Sequence, residues 1–159
     1  MTTFTCALVG PGGSGKTLYI NRLKTGHFGY NLPGNETNLT FKTHAGQDIT
    51  FHVIQRNECS GMADCVLLML DKASLAQPEI LVPWVVKARH AYGNVPLVVC
   101  GSKVDLLPNS TDIDRTLALY VRILGITYYD LSAKTLYNQE KPWVHFARLL
   151  LNNPNLTLP

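Results

Sequence analysis

The sequence predicts an α/β domain, a mostly parallel six-stranded sheet with helices on both faces, and three observations predict it. Strand-like apolar runs alternate with helical patterns along the chain, as strand–helix–strand units require. Two of the runs, residues 65–70 and 95–100, are apolar without interruption, which suits strands covered on both faces. A glycine-rich turn at residues 10–15 stands directly between the first strand and the first helix. In such sheets ligands bind beyond the carboxyl ends of the strands.

Taken in order, residues 4–9 read as the first buried strand. Residues 16–25 carry Leu18, Tyr19, Arg22 and Leu23 at helical spacing. Residues 28–40, rich in Gly, Asn and Pro, read as an exposed loop. Residues 39–43 and 49–54 alternate with period two around His44-Ala45-Gly46-Gln47-Asp48, the pattern of a hairpin at a sheet edge. Residues 65–70, 95–100 and 126–131 give three further strands. Helices are expected at 83–92, 112–124 and 141–152, with Pro83 and Pro142 suited to first turns. Residues 1–159 contain no repeat, linker or low-complexity tract, so a single domain is expected.

Composition limits the function classes. The chain is 46% hydrophobic and 16% charged, which describes a globular protein with a sizeable core. A net charge of +3 is too mild to call for nucleic acid, and none is expected as a partner. The cysteines lack zinc-ligand spacing, and Cys6, Cys65 and Cys100 sit in strand-like runs as reduced core residues. No signal peptide, no apolar run near ~20 residues and no cysteine for prenylation in the last residues are found. A soluble, monomeric intracellular protein without membrane attachment is expected.

The most specific motif is Gly10-Pro11-Gly12-Gly13-Ser14-Gly15-Lys16-Thr17, which matches G-x-x-x-x-G-K-[ST]. Its glycines permit positive φ, so backbone N–H groups can close around phosphate oxygens, aided by the positive end of the following helix. Gly12, Gly13, Ser14 and Gly15 are the expected cradle. Lys16 is expected at the β- and γ-phosphates and the Thr17 hydroxyl in a Mg²⁺ shell. A chance turn with an incidental lysine is outweighed by the strand-to-helix context.

Two later turns fall at strand ends: Gly101-Ser102-Lys103-Val104-Asp105 and Asp130-Leu131-Ser132-Ala133-Lys134. They resemble the guanine motifs N-K-x-D and S-A-K of small GTPases. The resemblance implies that Asp105 accepts from the guanine N1–H and amine, that Lys103 covers one face of the base and that the Ala133 N–H meets O6. Ser102, Ser132 and Lys134 complete the expected base site. Ser102 stands where the family has Asn. Losing one hydrogen-bonding arm there implies weaker binding by roughly tenfold to a hundredfold.

Together with residues 128–156 (YYDLSAKTLYNQEKPWVHFARLLLNNPNL) and Thr25-Gly26-His27-Phe28, these stretches resemble the Ran family of small GTPases. The likeness covers most of the chain and implies the P-loop G-domain fold, with GTP/GDP and Mg²⁺ as ligands. It also implies nuclear and cytoplasmic residence and contacts with transport receptors and an exchange factor. The family's C-terminal extension and its basic cluster after Ser110 are not matched, which weakens the receptor expectation.

The likeness also fails at both switch regions. Where the family has D-T-A-G-Q, with Asp at the metal, Gly at the γ-phosphate and Gln orienting water, this chain has Gln55-Arg56-Asn57-Glu58-Cys59. Only 60–64 then separate Cys59 from the next strand. Neither Thr37 nor Thr40 has the flanks of the first-switch threonine. A guanine-nucleotide-binding protein with weak or absent hydrolysis, presenting a fixed surface to Ran-type partners, is therefore expected. Such a protein would act as a mimic or decoy, of the kind a parasite or virus encodes. The alternative is an active, divergent GTPase completed by a partner or by Asp71 and Arg56. A small-substrate kinase or ATPase fits less well with Asp105 and Ser132-Ala133-Lys134. Asp71 is expected to be structural and Arg56 to be a solvated loop residue.

Overall fold

The computed structural model describes residues 2–26, 34–106 and 111–159. Its sheet has six strands: β1 (Thr2–Val9), β2 (Glu36–Lys42), β3 (Asp48–Arg56), β4 (Cys65–Asp71), β5 (Leu97–Ser102) and β6 (Thr127–Asp130). Their order across the sheet is β2-β3-β1-β4-β5-β6. Every neighbouring pair is parallel except β2 with β3. The helices are α1 (Lys16–Thr25), α2 (Leu81–Tyr92), α3 (Thr111–Leu124) and α4 (Lys141–Leu150). The fold expected from the sequence is the fold observed.

Two apolar layers sit on opposite faces, and the pleat of β1 feeds both. Cys6 and Leu8 point to one layer, with Tyr19 and Ile20 of α1 and Trp143, Phe146 and Ala147 of α4. Ala7 and Val9 point to the other, with Leu81, Val85 and Ala88 of α2 and Leu117 of α3. All four β1 residues are 0% exposed, so an uninterrupted apolar run was the pattern to expect of this strand. Cys65 and Cys100 are equally buried, in agreement with their reading as core thiols.

Four local readings need correction. Residues 36–40 are strand, not loop: β2 pairs with β3 from Glu36↔Ile54 to Lys42↔Asp48. Its outer face is polar because no helix covers it. Thr40 and Thr50 hydroxyls lie 2.9 Å apart, and His52 Nδ1 lies 2.7 Å from Asn38 Oδ1, so hydrogen bonds between polar side chains replace apolar packing. The first part of the predicted loop, 28–33, lies outside the described residues. Helix α2 starts two residues before Pro83, which falls in its first turn, and α4 stops at Leu150. Three 3₁₀ turns, Lys72–Ala76, Pro78–Ile80 and Val104–Leu106, have no counterpart in the sequence reading.

Beyond α4 the chain folds back over the first layer. Leu156 is 5% exposed and belongs to that core. The His44 N–H donates to the Thr157 carbonyl at 3.1 Å, and Arg148 Nε–H donates to the Leu156 carbonyl at 2.8 Å.

Candidate nucleotide-binding site

The carboxyl end of β1 opens into the glycine-rich turn. A Cβ on Gly10 would lie 2.1 Å from the Met69 carbonyl oxygen, so only glycine lets the exit from β1 pass β4. The Gly10 N–H donates to the Arg56 carbonyl at 3.2 Å, which joins this exit to the end of β3. Gly13 and Gly15 adopt φ of 81° and 97°, the left-handed region that glycine enters without steric cost. Gly15 is the N-cap of α1, whose first backbone N–H groups and positive end therefore face the turn.

Lys16 is 7% exposed and folds back along the turn. Its Nζ donates to the Gly10 carbonyl at 2.6 Å and to the Pro11 carbonyl at 2.8 Å. Burial pushes its amine below the usual lysine value. Neutral carbonyls satisfy its donors without neutralising its charge, so an anion in front of the turn is favoured by Coulomb attraction. The Thr17 hydroxyl donates to Gln55 Oε1 at 3.0 Å. Gly12, Lys16, Thr17, Gln55, Arg56 and Glu58 all border a cavity of about 570 Å³.

A second cavity, of about 300 Å³, is lined by Tyr19, Ser102, Lys103, Asp105, Ala133 and Lys134. Gly15 borders both spaces. Lys103 holds φ of 60°, and its Nζ donates to the Gly13 carbonyl at 2.6 Å, so the base-side loop is tied to the phosphate-side turn. The Ser132 hydroxyl donates to Asp105 Oδ1 at 2.7 Å and accepts from the Thr135 N–H. One carboxylate oxygen of Asp105 is thereby fixed, and the other is left to accept from a ligand. Lys134 is exposed and Ala133 half-buried.

Ser102 keeps one link of the base-side loop to the cradle: its Oγ–H donates to the Ser14 carbonyl, with Leu70 O a longer acceptor at 3.3 Å. The reason is close approach: a Cβ on Gly15 would lie only 3.6 Å from Ser102 Oγ. A side chain as short as serine spans that gap.

Asp71 ends β4, as expected of a structural residue. Its Oδ1 accepts from the Ala73 N–H at 3.0 Å, capping the following turn, and its Oδ2 lies 3.6 Å from Lys103 Nζ. Arg56 does not fit its expectation as a solvated loop residue. It is the last residue of β3, half-buried, and its Nη1 is buried without a hydrogen-bond partner. Thr40 is engaged with Thr50 on the sheet's outer face, and Thr37 lies within β2.

The segment after β3 is short and anchored at two points. Tyr92 Oη accepts from the Ser60 N–H at 3.0 Å and donates to the Ser60 carbonyl at 2.7 Å. Asp64 Oδ2 accepts from the Thr5 N–H at 2.7 Å while its own N–H donates to the Thr5 carbonyl at 2.8 Å. The sequence carried no sign of either anchor, nor of the Gln55–Thr17 bond, because each joins residues far apart in the chain.

These residues fit a purine nucleotide: a cradle of N–H groups and a buried lysine at one end, an oriented carboxylate at the other. They offer Mg²⁺ the neutral oxygens of Thr17 and Gln55, and Glu58 is a carboxylate bordering the same cavity. Mg²⁺ sites of this kind ordinarily add one or two carboxylates to the phosphates. No group of three His, Cys, Asp or Glu placed to hold a metal ion occurs among the described residues, and no described helix is long and apolar enough to cross a membrane. Compared with protein families, the chain matches the model described as the Ras family over residues 5–152.

Proposed function

The chain belongs to the Ras family, whose members bind guanine nucleotide with Mg²⁺, and on that premise we propose that it holds GTP or GDP while hydrolysing GTP poorly. The observation that carries the proposal is the pair of tethers at the far side of the cradle. Thr17 meets the neutral amide of Gln55, and the segment behind it is anchored through Ser60 and Asp64. No glutamine stands at Cys59 to orient a water. A segment held by these anchors presents the same outer surface with either nucleotide and has no basis for shifting between two states.

The residues that hold the nucleotide in this reading are Gly12, Gly13, Ser14, Gly15, Lys16 and Thr17 at the phosphates. Ser102, Lys103, Asp105, Ser132, Ala133 and Lys134 hold the base. Bound Mg²⁺ supplies charge neutralisation between phosphates, with Thr17 its expected protein ligand. The fixed surface is offered to Ran-type partners, transport receptors and an exchange factor, in the nucleus and cytoplasm, by a monomeric single domain acting as a decoy. The resemblance of residues 98–105 and 128–156 to the Ran family supports that finer reading.

Two measurements test it. Chromatography of the nucleotide released from denatured protein is expected to give GDP or GTP, and single-turnover assay is expected to give almost no phosphate. Lys16→Ala is expected to leave the protein empty. Turnover at the ordinary intrinsic rate of a small GTPase, or retained nucleotide in Lys16→Ala, contradicts the proposal. Failure to capture any Ran-binding protein contradicts the decoy role alone.

A further inference from the structure

The proposed function leaves one charged group without a task. Arg56 ends β3 beside the cradle, and its carbonyl already accepts from the Gly10 N–H. It lines the 570 Å³ cavity together with Lys16 and Thr17, yet it enters no ion pair among the described residues. Its Nη1 is buried with no hydrogen-bond partner. A buried guanidinium nitrogen without an acceptor is an unfavourable arrangement that an anion relieves.

The surroundings explain how the side chain is kept near the cavity and unpaired. Gly61 holds φ of 75°, the left-handed region that favours glycine, and a Cβ there would lie 2.8 Å from Arg56 Nη2, so the guanidinium packs directly against this turn. Gln55, next to Arg56, presents a neutral amide to Thr17, so no carboxylate of the preceding residue competes for the arginine. The end of β3 has therefore gained a positive charge where a metal-binding strand end would carry a negative one.

Position selects the ligand group. The base cavity is lined by Lys103 and Asp105, Gly15 borders both cavities, and Arg56 lines the cavity of Lys16 and Thr17 and not that of the base. A nucleotide with its base in one cavity sends its phosphates into the other, the one that Arg56 lines. We infer that Arg56 is a ligand for the terminal phosphate of a nucleoside triphosphate, which gives this protein a preference for GTP over GDP that does not require Mg²⁺. The inference rests on the guanine-nucleotide reading above. To meet the phosphate the guanidinium leaves its place against Gly61.

The test is equilibrium binding of fluorescent GTP and GDP to nucleotide-stripped protein, in Mg²⁺ and in EDTA. Native protein is expected to favour GTP by roughly tenfold or more in EDTA, the worth of one or two charge-assisted hydrogen bonds. Arg56→Met is expected to abolish that preference with GDP affinity held within about twofold. Arg56→Lys, which keeps the charge without the fork, is expected to fall between. Equal affinity of native protein for both nucleotides in EDTA overturns the inference. So does a variant that loses GDP and GTP alike while its thermal midpoint is unchanged. If Arg56→Met fails to fold, the native ratio and Arg56→Lys decide. Absence of any guanine-nucleotide binding by native protein is the failure of the underlying reading.

Discussion

Ser102 shows how one short side chain can serve where a longer one is expected. Its hydroxyl reaches the Ser14 carbonyl because Gly15 lets the two loops approach, and at 5% exposure that bond is shielded from water. Ser102→Ala removes the tether without enlarging the residue. The expected result is nucleotide dissociation about fivefold faster, from the loss of ~1 kcal/mol, with the unfolding midpoint little changed. Stopped-flow release of a fluorescent nucleotide measures it, and an unaltered rate means that Lys103 alone joins the loops. The lysine of the cradle and the Asp105 carboxylate were legible in the sequence because their motifs are contiguous. The Ser102 contact was not, since it depends on a backbone carbonyl 88 residues away. Arg56 escaped for the same reason: the sequence shows a charge at the end of a strand, and only packing shows that one of its guanidinium nitrogens is buried without a partner.

Among the elements, the stretch between β3 and β4 governs whether this domain can act as a switch. Its two anchors use both hydrogen-bonding roles of Tyr92 and both the side chain and backbone of Asp64. Tyr92→Phe deletes the Ser60 bonds while keeping the ring in its layer. A stability loss of about 1–2 kcal/mol is expected. Amide exchange at 57–64 is expected to accelerate in this variant, whereas in native protein it is expected to be the same with GDP and a GTP analogue. Nucleotide-dependent protection of 57–64 in native protein is the outcome that contradicts a fixed surface. The apolar strands were legible because burial on both faces leaves a continuous signature. The start of β2 was not. Glu36, Asn38 and Thr40 sit on an edge strand with an uncovered face, where polar residues are compatible with pairing and read as loop.

At the scale of the whole molecule, the second apolar layer is joined to the base side by a buried cation. Lys72, 5% exposed, donates to Asp114 Oδ1 at 2.7 Å and to Asp130 Oδ1 at 2.6 Å, and lies over the Tyr128 ring. Burial alone pushes its amine down, but the bonds to the two aspartates outweigh burial and leave it raised from 10.5. Burial and the Asp130 charge likewise push the Tyr128 phenol upward. In both groups the folded state keeps its proton where the unfolded chain has lost it. Their stabilisation is thus fully present below pH ~10 and is lost as pH rises through the folded values. Urea unfolding from pH 7 to 11 is expected to show a steep alkaline loss in native protein. In Lys72→Met a shallower loss is expected, from a start lower by about 1–2 kcal/mol at pH 7. Parallel curves for the two proteins contradict the assignment. Nothing in composition indicated this cluster, because Lys72, Asp114 and Asp130 meet only once the sheet and α3 are assembled.

Trp143 is 1% exposed, stacked on Tyr19 at 6.4 Å and 15°, and its indole N–H donates to the Tyr19 hydroxyl at 2.8 Å. Tyr19 in turn lines the cavity assigned to the base. The protein thus carries an optical probe wired to its own ligand site. Any occupant that shifts Tyr19 changes the polarity and hydrogen bonding around one of the two indoles, and Trp84→Phe leaves that change readable alone in ultraviolet emission without a label.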